Sequence, residues 1–102
     1  MAFPFGWNPP SIGEFVAKCT KDFGAKLLEM DYEVEGSYGP IRPRILERTV
    51  EGKTCHVVLP NLPDDVLVTF QLARNMCDRI GVPTEVFGFS FDRDTGAVSK
   101  AD

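Results

Sequence analysis

Residues 44–59 read Arg44-Ile45-Leu46-Glu47-Arg48-Thr49-Val50-Glu51-Gly52-Lys53-Thr54-Cys55-His56-Val57-Val58-Leu59. Two runs rich in β-branched residues flank a short turn containing glycine, the pattern of an antiparallel hairpin. The first strand is expected to begin at Arg42 or Arg44 and end at Val50; the second runs from Thr54 to Leu59, with Glu51-Gly52-Lys53 between them. Pro43 marks an edge or bulge at the start of the first strand, and Pro60 and Pro63 close the second.

Upstream, Leu28, Met30, Tyr32 and Val34 alternate with Glu29, Asp31, Glu33 and Glu35, a period of two that predicts a strand with one buried and one solvated face. Residues 25–30 also suit a helix by propensity, so both readings stand for that segment. Gly36-Ser37-Tyr38-Gly39-Pro40 reads as a loop. Earlier still, Ser11 and Glu14 form a capping box ahead of an apolar stripe of Ile12, Phe15, Val16, Cys19 and Phe23, and Gly24 supplies a stop.

Downstream of the hairpin, a second helix is predicted from Asp64 or Asp65 to Ile80, with Gly81 and Pro83 ending it. A further strand, from about Thr84 to Phe91, places Phe87, Phe89 and Phe91 on one face. The order α-β-β-β-α-β with short connections predicts a two-layer α+β domain, a mainly antiparallel sheet carrying both helices on one face. The domain should span residues 11–91, between an aromatic, proline-rich segment at 1–10 and a polar tail at 92–102.

The chain has 102 residues, of which 29 are Leu, Ile, Val or Phe, too many for a solvated disordered polymer. No apolar run is long enough for a membrane helix. The N-terminus lacks the basic stretch of a secretory leader, so a cytoplasmic location is expected. Cys19, Cys55 and Cys77 form no Cys-x-x-Cys pair and read as reduced thiols in apolar surroundings.

The net charge is −4, yet residues 36–60 hold four basic residues against two acidic ones. Arg42, Arg44, Arg48 and Lys53, with Tyr38 in the neighbouring loop, are therefore a candidate anion or ligand surface. Against that, a register summing to 77 would set Glu35 opposite Arg42, Glu33 opposite Arg44 and Glu29 opposite Arg48, neutralising the arginines across the ladder. Nucleic acid is accordingly not the expected partner. His56, the single histidine, is a candidate general base, with Glu47 or Arg48 opposite it depending on register. Cys55 beside it would point to the other face, which separates the two as a nucleophile pair. Asp92-Arg93-Asp94-Thr95-Gly96 reads as a turn, and no residue pattern calls for a metal or cofactor.

The second predicted helix carries two apolar stripes. Val66, Phe70, Ala73, Cys77 and Ile80 make the first, and Val68, Leu72 and Met76 the second. A surface helix needs only one. The second stripe is either covered by the N-terminal aromatics Phe3, Phe5 and Trp7, or joins them as a protein-binding or self-association surface.

The helix–three strands–helix order is similar to the double-stranded-RNA-binding-like fold of HicA-type toxins. Gly36-Ser37 stands where that family has glycine and serine before its catalytic histidine. Here the next residue is Tyr38, so the resemblance does not bring the nuclease activity with it. The sequence thus predicts a small non-catalytic protein acting through a hydrophobic protein–protein surface, with a homodimer as one form. A nucleic-acid or phosphate-ligand binding protein built on the basic central hairpin, with a double-stranded-RNA-binding-like nuclease as one form, is the alternative.

Overall fold

The computed structural model describes residues 6–92 and 94–101. Helix α1 spans Ile12–Phe23 and starts as the capping box requires. The Ser11 hydroxyl accepts from the Glu14 N–H at 3.1 Å, and the Glu14 carboxylate accepts from the Ser11 N–H at 3.0 Å. Ile12, Phe15, Val16 and Cys19 face the core.

The period-two stretch that follows does not form one strand. Strand β1 covers Lys26–Glu29, the chain bends, and β2 (Val34–Gly36) pairs with β3 (Gly39–Ile41) in a separate hairpin. What reads as a loop at 36–40 is the end of that hairpin, with Ser37 and Tyr38 at its tip. Strands β4 (Arg44–Val50) and β5 (Lys53–Val58) form the central hairpin. Its two-residue turn holds Glu51 at φ 52° and Gly52 at φ 78°, and two left-handed residues in succession match the twist of the flanking strands. The main sheet has the order β1-β4-β5, antiparallel throughout.

Helix α2 is shorter than the apolar pattern predicts, spanning Phe70–Ile80 with the Thr69 hydroxyl accepting from Leu72 N–H. The reason lies at the start of α1. Two of its unpaired N–H groups, those of Ile12 and Gly13, donate to the carbonyls of Val66 and Asp64, and Val68 N–H donates to Pro10. Residues 64–68 are held by this ladder and cannot wind into the helix. Asp64 and Asp65 therefore lie outside its first turn.

After α2, Thr84–Phe87 forms a 3-10 turn rather than the start of a strand. Strand β6 (Phe89–Phe91) pairs with β7 (Val98–Lys100), so part of the expected polar tail returns to the domain. Between them the Asp92 carboxylate accepts from the N–H groups of Asp94 and Thr95, confirming a turn there.

Leu46 and Val57 are buried on the inner face of the main sheet, and both helices are tied to that same face by Arg48. Its Nε donates to the Phe23 carbonyl at 3.0 Å. Its Nη1 donates to the Ile80 and Gly81 carbonyls at 3.0 and 2.7 Å. These carbonyls belong to the C-terminal ends of α1 and α2, where helical partners run out and the dipole is negative. The guanidinium also lies 5.3 Å from the Phe23 ring centre. The α+β class read from the sequence, two helices with antiparallel sheet, is what the chain forms, although five strands rather than three separate the helices and two rather than one follow α2.

Burial of Cys77 pushes its thiol up to about 12, helped by Cys19, Asp78 and Glu85 nearby. Burial pushes Cys19 up to about 11, against an opposing pull from Arg48. Both are protonated core residues at neutral pH.

Arg48→Ala should cost about 3 kcal/mol of folding stability by urea denaturation, since it strands carbonyls on two helices. Arg48→Lys should recover less than half of that, because one ammonium cannot span both ends. A loss near zero for Arg48→Ala would show that the helices are held by packing alone.

Candidate functional site

Alternation along β4 and β5 sorts their side chains between two environments. Inner positions are Arg44, Leu46 and Arg48 on β4 and Cys55 and Val57 on β5, under the helices. Outer positions are Ile45, Glu47 and Thr49 on β4 and Thr54, His56 and Val58 on β5. The register pairs Leu28 with Ile45 and Ile45 with Val58, so an aliphatic row crosses all three strands on the outer face. Among the described residues, no element covers this row: Leu28 is 38% exposed and Val58 67%.

The neighbouring row is polar. Lys26 pairs with Glu47 and Glu47 with His56, and His56 Nε2 lies 3.0 Å from Glu47 Oε2. Farther along, the hydroxyls of Thr49 and Thr54 meet at 2.9 Å. The His56–Glu47 pair sits on open sheet, and Cys55 faces the other way, so no thiol stands where His56 could take its proton. Such an exposed pair contributes under about 1 kcal/mol. Among the described residues, no group of three His, Cys, Asp or Glu is placed to hold a metal ion.

The observed register differs from the one that neutralises every arginine. Partners of β1 and β4 sum to 73, setting Glu29 opposite Arg44 and Lys26 opposite Glu47, while Glu35 faces Pro40 in the small hairpin. Arg44 reaches Asp64 at 2.7 Å and Arg48 is engaged at the helix ends. Arg42 is exposed beside β3 and Lys53 sits at the far turn. The four cations do not share one surface. Tyr38 is 69% exposed at the tip of the small hairpin.

The apolar stripe Val68, Leu72 and Met76 is largely taken up by the fold. Val68 and Met76 are buried, and Leu72 packs partly against the core. Val68 precedes α2 and shares no helical face with the other two. Met76 lies four residues before Ile80, only about 40° away around the helix, and so borders the core arc. Trp7 is buried too: its ring stacks on Phe70 at 4.1 Å, and its Nε1 donates to the Phe87 carbonyl at 2.7 Å. Phe3 and Phe5 lie outside the described residues.

The outer row of Leu28, Ile45 and Val58 escaped the sequence reading. The period-two pattern assigned Leu28 to a buried face, whereas β1 is exposed along its whole length. The two-residue turn is the signal for part of the row, since pairing Val50 with Lys53 sets Ile45 opposite Val58, while Leu28 joins it only through the β1–β4 register. A separate cleft of about 620 Å³ between the end of α2 and Phe91 is lined by Arg74, Asp78, Thr84 and Glu85. Arg74 lies over the Phe91 ring at 4.4 Å, and the only thiol lining the cleft, Cys77, is held protonated.

The two faces predict opposite outcomes for adjacent valines. Val57→Glu should cost about 4 kcal/mol or more, by burying a charge in the core, and Val58→Glu should change monomer stability by under about 0.5 kcal/mol. Equal losses in thermal or urea unfolding would contradict the assignment of faces. The helix–strands–helix order is interrupted by the small hairpin between β1 and β4, and no protein-family model, curated protein or solved structure matches the chain.

Proposed function

We propose that this chain is a non-catalytic binding protein that works by self-association through the open side of its β1-β4-β5 sheet, burying Val58. One observation carries the reading: the aliphatic row Leu28–Ile45–Val58 crosses a sheet face that none of the described elements covers. An exposed aliphatic patch with polar neighbours is the usual mark of a contact surface. The adjoining Lys26–Glu47–His56 row mixes both signs, so a second copy meets it with cations and carboxylates of its own. This surface takes the place of the Val68–Leu72–Met76 stripe as the contact region, because two of those three side chains are spent on the core.

Sedimentation velocity over a range of protein concentrations tests the reading. The wild-type chain should shift from monomer to dimer, and Val58→Glu should weaken the association at least about tenfold, or about 1.4 kcal/mol. A wild-type chain that stays monomeric, or a Val58→Glu variant that dimerises as well as wild type, would overturn it.

A further inference from the structure

Strand β5 is an edge strand, and its hydrogen bonding shows which backbone groups are open. Leu59 N–H donates to the Arg44 carbonyl, and Val50 pairs with Lys53 across the two-residue turn. In an antiparallel ladder the inward groups alternate. Lys53, Cys55 and Val57 therefore turn their N–H and C=O toward β4, and Thr54, His56 and Val58 turn theirs outward. Among the described residues, no backbone group bonds to these outward positions.

The opposite edge offers less. Met30 N–H donates to the Pro43 carbonyl, so in β1 only Leu27 and Glu29 point outward, on a strand of four residues. Edge strands are ordinarily blunted by proline, bulges or charge. In β5 the sole such device is Lys53, beside the turn; the remaining residues, Thr54 to Val58, include no Lys, Arg, Asp, Glu or Pro.

A row of alternating donors and acceptors is matched by another extended strand. We infer that β5 pairs antiparallel with β5 of a second copy, about a two-fold axis at His56. This rests on the self-association proposed above and places its seam at the sheet edge rather than across the open face, with Val58 the side chain common to both contacts. In that register Thr54 stands opposite Val58 of the second copy, His56 opposite His56, and Val58 opposite Thr54, so every outward group of the three residues finds its complement. The β-branched Thr–Val pair suits a cross-strand contact, and no carboxylate is set against another. The product is a continuous six-stranded sheet in which both β5 edges disappear.

Residue-resolved amide hydrogen exchange on the full chain, followed at rising concentration beside sedimentation, tests the pairing. As dimer forms, the amides of Thr54, His56 and Val58 should slow by about tenfold or more, while those of Leu27 and Glu29 keep their rates. A dimer that instead protects Leu27 and Glu29, or protects neither edge as face-to-face stacking would, overturns the edge pairing and leaves self-association standing. A chain that is monomeric at every concentration overturns both.

Discussion

Arg48 ties both helices to one face of the main sheet. One guanidinium reaches the last carbonyls of α1 and of α2 from the middle strand. Both helix ends are thereby fixed to the inner face, above Leu46 and Val57. Both described helices lie on one side of the main sheet, and none of the described elements covers the other. The outer aliphatic row is the direct consequence.

Much of this architecture is legible from local chemistry. The capping box at Ser11 and Glu14 and the stops at Gly24 and Gly81 are short-range signals that appear where the residues place them, and the turn expected at Glu51-Gly52-Lys53 forms one residue shorter, with Lys53 already paired to Val50. The misreadings arise where a distant segment overrides a local pattern. Asp64 to Val68 continues the apolar period of α2, yet its carbonyls are claimed by the opening N–H groups of α1, fifty residues away. The alternation from Leu28 to Val34 predicts one strand, and the chain divides it between an edge strand and a separate hairpin. Arg48 reads as a surface cation because nothing in its neighbours shows that two helix ends arrive beside it.

The candidate site follows the same division. The His56–Glu47 pairing was among the possibilities open from the hairpin, and the structure selects it. The aliphatic row needs the register of two strand pairs at once, and alternation in β1 alone assigns Leu28 to the wrong side. Trp7 shows the converse. An aromatic in a proline-rich segment looks available for a partner, but its indole N–H is bonded to Phe87 and its ring is stacked on Phe70. Aromatic content alone does not separate a loose contact from a core residue brought in from the end of the chain.

Everything proposed for this chain depends on a main sheet that the described elements cover on one side only. Methyl NMR with a soluble paramagnetic probe, at concentrations where the chain is monomeric, measures this most directly. A sheet covered on one side gives strong broadening of the Leu28 and Val58 methyl signals, with those of Leu46 and Val57 spared. Shielded Leu28 and Val58 methyls, or broadened Leu46 and Val57 methyls, would contradict it.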